Sequence, residues 1–460
     1  MKILLVQPPK PEKAVGGEDF SIFEPLALEY LAAGIAGNHD VRILDMRLDP
    51  DLDSLLHEYQ PDVVGITSYT VHVSTVKRLF QQIKVFNTDI FTIVGGHHAT
   101  VMPEDFYTPY IDVIIVGEGV FPFREIISRL EKKIALSGIP EAISSENGTI
   151  MIHHRDQDSD LDSLPFPRRD LTADYRKSYF SQWMKPLASI RTSKGCLFKC
   201  SFCALWKLTG GRYLTRKPEY IVEELGTIEE KCVFFADDES LLDTKRMIAL
   251  ADLIRRAGIR KRYFLYGRSD TIAKHPELIE QWKKIGLERV FVGLEFMWDA
   301  DLKWIRKGST AENNQEAVKV LKSLDIDVFP TFIVRPEFVR KDFADLRKYC
   351  LDLDLSFIGF RVLTPLPGTD LYHEVKEKLI TSNYDYFDFH HTLLPTALPI
   401  KTFYKELTNL YKRSRSLKNQ IKVMRKYPLW ELPSLFRAYR DFMRRLDTLE
   451  QDYTANFEKS

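Results

Sequence analysis

Short apolar runs rich in β-branched residues alternate with helix-length segments along most of the chain, and this rhythm restricts the fold more than any other feature. In the first third the runs are 2–7, 41–45, 62–68, 90–94 and 112–116, each closed by Gly, Pro or a polar turn. Helix-length segments 25–37, 51–59, 70–86 and 120–133 lie among them. Strands that alternate with helices build parallel sheets covered on both faces. Residues 1–140 are therefore expected to form a doubly wound, Rossmann-like α/β domain. Such sheets bind ligands beyond the carboxyl ends of their strands. Those ends carry Asp45; Thr67 and Ser68; Gly95, Gly96, His97 and His98; and Gly117, Glu118 and Gly119. Glycine lets backbone approach a ligand closely, though it serves a tight turn equally well. Residues 141–185 hold a hairpin-like stretch, an acidic run at 156–160, Pro165 and Pro167, and read as a linker.

The chemistry concentrates at Cys196, Cys200 and Cys203, spaced C-x3-C-x2-C. Three neighbouring thiolates are soft ligands suited to zinc or an iron–sulfur cluster. A closed zinc site needs a fourth ligand, and no Cys or His follows at short spacing; His390 and His391 are distant in sequence. Three cysteines on iron would leave one metal position open, which is a reactive arrangement. Cys232 and Cys350 sit in apolar contexts and are expected to be buried core thiols.

A second β/α rhythm follows, with strands at 231–236, 263–267, 289–293, 328–334 and 356–362. Helices are expected at 218–229, 243–257, 276–285, 314–324 and 341–352. Residues 186–400 thus read as a partial (β/α) TIM-like barrel with its site at the strand carboxyl ends. Those ends are polar: Asp237-Asp238-Glu239, Arg268-Ser269-Asp270, Gly293-Leu294-Glu295 and Arg335-Pro336. Some of these serve as helix caps and surface charge.

The cysteine spacing resembles the signature of the radical SAM enzymes. That resemblance implies a 4Fe-4S cluster on Cys196, Cys200 and Cys203 whose open iron chelates S-adenosyl-L-methionine (SAM). It places Phe202 beside the adenine, and Glu239, Arg268 and Glu295 around the methionine and ribose ends of SAM. A doubly wound domain followed by such a barrel is the layout of the cobalamin-dependent (class B) radical SAM enzymes. Gly95 to Thr100, Pro103-Glu104 and Val116 to Gly119 are similar to their cobalamin-binding domain, and Pro365 to Thr369 to a stretch after their last barrel strand. By this resemblance Thr67, Ser68, Gly95, Gly96, His97, Gly117, Glu118 and Gly119 contact cobalamin. Where cobalamin mutases carry Asp-x-His-x-x-Gly, this chain reads Asp45-Met46-Arg47-Leu48-Asp49-Pro50. The histidine that would ligate cobalt is absent, so the resemblance implies base-off cobalamin without a protein His. His97 or His98 either faces the corrin or orders its loop.

The implied activity is methyl transfer from methylcobalamin to an unactivated carbon of a hydrophobic small molecule. An external one-electron donor of the flavodoxin or ferredoxin kind is implied as well. The segment FDFHHTLLPTALP at 387–399 and the overall layout resemble the hopanoid C-3 methylases. Two alternatives stand: a cobalamin-dependent radical SAM oxidative cyclase or oxidoreductase acting on a tetrapyrrole, and a non-catalytic corrinoid- or zinc-binding module.

Charge narrows the partners. Lys+Arg and Asp+Glu are both 65, and a zero net charge argues against a dedicated nucleic-acid binder. The five cysteines are too few, and odd, for a disulfide framework. The first residues do not read as a signal peptide, and no apolar run reaches the ~18–20 residues of a membrane span. A cytoplasmic protein is expected. The helical region 401–460 is basic, with 14 Lys/Arg against 7 Asp/Glu. Leu432, Leu435, Phe436, Tyr439, Phe442 and Met443 recur there at helical spacing. Such a face suits either packing on the barrel or peripheral contact with an anionic membrane at its inner face.

Overall fold

The computed structural model describes every residue except 36, 38, 147, 148, 153–159 and 457–460, so most of the acidic run at 156–160 lies outside the described residues. The chain forms two compact units. One comprises Met1–Ala14, Glu24–Ser178 and Lys207–Gly210; the other comprises Val15–Phe23, Tyr179–Trp206 and Gly211–Ser460.

In the first unit five strands form a parallel sheet: β1 (Lys2–Gln7), β2 (Asp40–Asp45), β3 (Val63–Thr67), β4 (Phe91–Gly95) and β5 (Val113–Ile115). Their order is β2-β1-β3-β4-β5. Antiparallel β6 (Ala142–Glu146) and β7 (Thr149–Ile152) extend the sheet beyond β5. Ile3, Leu4, Leu5 and Val6 are all fully buried, which a half-exposed strand would not permit. Helices cover both faces, so the strands are continuously apolar rather than alternating. The chain reverses direction across the sheet between β1 and β3, which opens a crevice at their carboxyl ends.

The second unit is built on β8 (Leu187–Ile190), β9 (Cys232–Phe235), β10 (Arg262–Tyr266), β11 (Leu287–Glu295), β12 (Asp327–Val334) and β13 (Gly359–Val362). All neighbours are parallel and follow chain order. Helices Pro218–Thr227, Thr244–Arg256, Pro276–Lys284, Ala311–Ser323 and Arg340–Asp352 connect successive strands. Two begin on side-chain caps, where Asp243 accepts from the Arg246 N–H and Thr310 from the Asn313 N–H.

Strand alternation divides the side chains between two faces. Val233, Phe235, Leu265, Val290, Val292, Phe332, Val334, Phe360 and Val362 belong to the core shared with the helices. Trp282, fully buried in that core, donates its indole N–H to the Met247 carbonyl at 3.1 Å. The other face looks into the barrel. At its base Phe234 and Phe264 pack with Trp183, Met184, Leu187 and Phe357. Arg289, also on that face, is fully buried, and its guanidinium carbon lies 3.8 Å from the Trp183 ring centroid. Above them Tyr266, Phe291 and Phe329 stay half-buried, with centroids 4.8 Å and 5.3 Å apart in sequence.

The basic tail packs rather than projects, over much of its length. In helix Leu432–Thr448, Met443 and Leu446 are buried, and Tyr439 and Phe442 pack against the same core. This corrects the expectation of membrane contact at the inner face. A helix lying on lipid must offer its apolar face outward, and half of this face is already inside the protein. Leu429, Trp430 and Phe436, nearer its start, are exposed. Among the described residues, no helix is long and apolar enough to cross a membrane.

Candidate active site

The three cysteines sit on the loop that leaves β8. Its first residues are fixed by the loop after β9. The Asp237 carboxylate accepts from the Thr192 N–H at 2.6 Å, the Thr192 hydroxyl at 2.6 Å and the Ser193 N–H at 2.8 Å. Asp238 accepts from the Gly195 N–H at 2.6 Å. Gly195 has φ +89, a conformation glycine tolerates and other residues resist. A short ribbon, Ser193–Gly195 paired with Tyr213–Thr215, stiffens the same stretch. Further along, the Trp206 indole donates to the Cys200 carbonyl at 3.1 Å, and the Ser201 N–H donates to the Ile305 carbonyl at 3.0 Å.

Around this loop stand the polar strand ends. Arg268 is buried, its Nε donating to Asp270 at 2.9 Å and its Nη2 to the Lys307 carbonyl at 2.6 Å. Its guanidinium carbon lies 3.3 Å from the Phe198 ring centroid, so it clamps the cysteine loop. Glu239 is buried and accepts from the Leu241 and Arg268 N–H groups at 3.2 Å and 3.3 Å. Glu295, with φ +61 at a register shift in β11, pairs with Lys307 at 2.8 Å. Gly293 makes room for that pair, since a Cβ there would come within 2.3 Å of a Glu295 carboxylate oxygen. Phe202 is partly buried against the helix-side core.

Charge in this cluster is arranged around the thiols. Burial pushes all three up, Cys203 to about 12. The cations of Lys307 and Arg268 act the other way on Cys200, and Arg268 does so on Cys196. Among the described residues no three ligating side chains already stand in a metal-binding arrangement. The donor chemistry nonetheless suits an iron–sulfur cluster: three thiols on one anchored loop, beside two cations that favour thiolate. Cys232 and Cys350 are buried away from them, as small apolar side chains.

Burial raises the Glu239 carboxyl from 4.5 to about 7, against the opposing charge of Arg268. A carboxyl with a raised folded-state pKa binds its proton more tightly in the folded chain. The stability it contributes is complete below pH 4.5 and is lost as pH rises through about 7. At about 1.4 kcal/mol per unit, that loss is about 3 kcal/mol. Glu239→Gln is expected to remove this part of the pH dependence. Denaturant midpoints of both proteins across that range should converge at low pH and separate at high pH.

In the first unit the anticipated ligand residues gather at the carboxyl edge of the sheet. Gly96 has φ +104, and a Cβ on it would meet Thr67 Oγ1 at 2.7 Å and Ser68 N at 2.8 Å. Gly117 has φ +86, and its N–H donates to Thr100 Oγ1 at 3.0 Å. Gly95 ends β4, Gly119 precedes helix Val120–Lys132, and Ser68 and Glu118 are buried. His98 is fully buried, with Nδ1 3.1 Å from Thr70 Oγ1 and Nε2 2.8 Å from Asp105. Both ring nitrogens are engaged in ordering the loop. His97 is exposed, its ring 4.8 Å from that of Tyr69. Arg47, where the mutase motif has His, holds the buried Asp45 with Nε at 2.8 Å and Nη2 at 2.6 Å. A guanidinium has no lone pair to give a metal.

Lys307 was not legible as a site residue: it partners Glu295 across 12 residues, and only the Gly-x-Glu pattern hinted at a partner. Arg361 was not singled out, and His390 was noted only as a histidine distant from the cysteines; the fold alone joins the two.

The comparisons agree with this architecture. Residues 12–127 match the B12 binding domain family, and residues 190–350 the Radical SAM superfamily. The chain is similar to the hopanoid C-3 methylase of Methylococcus capsulatus, with 32% identity over 406 residues, 86% of this chain and 78% of that protein. It is similar to the anaerobic magnesium-protoporphyrin IX monomethyl ester cyclase of Rubrivivax gelatinosus, with 25% identity over 409 residues, 85% of this chain and 72% of that one. Among solved structures it resembles the radical S-adenosylmethionine methyltransferase TsrM of Kitasatospora setae, solved with cobalamin and a 4Fe-4S cluster bound. The TM-score is 0.70 at 18% identity, covering 91% of this chain and 90% of that one.

Proposed function

The chain belongs to the B12-binding radical SAM enzymes, and from that footing we propose that it transfers a methyl group to an unactivated carbon of a polycyclic hydrophobic substrate, a hopanoid foremost. One observation carries this reading. A three-thiol loop stands at the carboxyl mouth of a barrel whose inner face is an aromatic wall of Tyr266, Phe291 and Phe329. An apolar ring system buried against such a wall gains roughly 25 cal/mol per Å² removed from water.

Cys196, Cys200 and Cys203 would hold a 4Fe-4S cluster, and Glu239, Arg268, Glu295 and Phe202 would surround SAM. Thr67, Ser68, Gly95, Gly96, His97, Gly117, Glu118 and Gly119 would receive cobalamin at the crevice of the first sheet. When bound, the cluster supplies the electron that cleaves SAM and the cobalamin carries the methyl group. The chain's own part is orientation and exclusion of water. Asp237 and Asp238 hold the cysteine loop, Arg268 clamps it through Phe198, and Lys307 sets the Glu295 carboxylate. With Arg47 in the place of the motif histidine, no imidazole is offered to cobalt there. The electron comes from an external flavodoxin- or ferredoxin-like donor.

The test is reduced, cofactor-loaded protein given methyl-deuterated SAM and a desmethyl hopanoid, read by mass spectrometry. The expected product is a hopanoid carrying the labelled methyl group. Deoxyadenosine without label in the lipid would refute methyl transfer. Unlabelled ring closure of magnesium-protoporphyrin monomethyl ester would favour the cyclase reading, which the similarity to the Rubrivivax enzyme keeps in view.

A further inference from the structure

We propose that Arg361 anchors an anionic group, a carboxylate or phosphate, on the molecule that enters the barrel, and that His390 holds it ready. The inference rests on the reading of the barrel as a substrate chamber. It adds that the substrate is an amphiphile, an apolar ring body ending in an acid.

The strand register places the arginine. Arg361 lies between Phe360 and Val362, which belong to the helix-side core. Alternation therefore turns Arg361 to the opposite face. It pairs with Ile333, two residues beyond the Thr331–Gly359 pair, and Thr331 shares its face with Phe329. A half-buried guanidinium thus stands on the inner face, on the carboxyl side of the aromatic wall.

Its Nη1 donates to His390 Nε2 at 3.0 Å, and among the described residues no carboxylate pairs with it. The imidazole's other nitrogen, Nδ1, is 3.1 Å from the Asp388 carbonyl oxygen and so carries the proton. Nε2 is left to accept from the arginine. Burial, and then the Arg361 charge, lowers His390 to about 3, so the ring is neutral at ordinary pH. A neutral acceptor aims a guanidinium without cancelling its charge. A carboxylate in its place would aim it and cancel it.

The turn carrying His390 is firmly held. Asp388 accepts from the N–H groups of His390 and His391 at 2.9 Å and of Val15 at 2.6 Å. His391 bridges Asp388 at 2.9 Å and Asp452 at 3.0 Å. Phe389 accepts from the Val362 N–H at 2.8 Å, which ties the turn to the end of β13. A partly buried cation with no carboxylate partner loses some of its hydration without a countercharge, and planar guanidinium forks suit carboxylate and phosphate.

The experiment measures binding by the full-length protein of two matched probe pairs in detergent. One is a hopanoid alcohol and its succinate half-ester; the other is protoporphyrin IX dimethyl ester and the free diacid. Wild type is expected to prefer the acid of at least one pair by about tenfold or more. Arg361→Gln should abolish the preference and Arg361→Lys keep part of it. His390→Leu should weaken it, and His390→Gln, which retains an acceptor, should restore it in part. No preference in wild type, no binding of any probe, or a preference that survives Arg361→Gln overturns the proposal. SAM binding by equilibrium dialysis separates the other source of a carboxylate. An unchanged SAM affinity in Arg361→Gln supports the substrate anchor, whereas a tenfold loss there assigns the arginine to SAM and overturns it. Acid preference without methyl transfer to either ring system would leave the anchor standing and refute the hopanoid methylase reading instead.

Discussion

A Cys200→Ala protein is expected to fold, to hold far less iron, and to lose at least about 1000-fold in deoxyadenosine formation, more than the roughly 10–100-fold typical of losing a supporting residue at a metal site. Cys200 is buried in the loop, and replacing its CH2SH side chain by a methyl group removes only the sulfur atom's volume. The stability change should stay near 1 kcal/mol, the ordinary effect of a point substitution. The functional loss is large because three thiolates are the whole protein donor set available on this loop. With two, a 4Fe-4S cluster held here would lack a protein ligand on a second iron, and its single open position would no longer be defined. Iron per chain, the visible absorption of the anaerobic protein and deoxyadenosine by chromatography read the result. Iron content and deoxyadenosine at wild-type levels in Cys200→Ala would exclude this loop as the cluster site.

Asp237→Ala should damage stability and cluster loading together. Its carboxylate satisfies two backbone N–H groups and one hydroxyl, all buried with it. Removing the acceptor strands three donors at about 1–3 kcal/mol each before relaxation, and losses of about 3–5 kcal/mol follow the breaking of buried charged networks. The same three bonds set the path of Thr192 and Ser193 into Cys196, so iron loading should fall as well. Asp237→Asn keeps the shape and one oxygen acceptor, and should lose about half as much stability as the alanine variant. Denaturant midpoints and iron per chain are the measurements. An alanine variant with wild-type midpoint and iron content would show that Asp237 does not hold the loop.

Much of the architecture was legible because it is local. The parallel strands of the first unit announce themselves as uninterrupted apolar runs, since a sheet covered on both faces tolerates no polar alternate positions. The cysteine triad is legible because its members lie within eight residues. What escaped the sequence is non-local or short. Leu187–Ile190, the first barrel strand, is four residues long and gives no periodic signal. Arg268 reads as a carboxylate binder, yet in the fold it is already bound to Asp270, the Lys307 carbonyl and the Phe198 ring. The amphipathic tail offers the same pattern whether its face meets lipid or protein.

The sequence by itself determined the two β/α layouts, the soft-ligand loop and the absence of a histidine at position 47, because each depends on periodicity or identity within a short window. Only the tertiary structure decided which polar groups face one another. Lys307 finds Glu295 12 residues away, Arg361 finds His390 29 away, and His391 finds Asp452 61 away. The physical reason is that side-chain partners are chosen by the packing of strands and helices, and burial then makes each choice matter by removing the competing water.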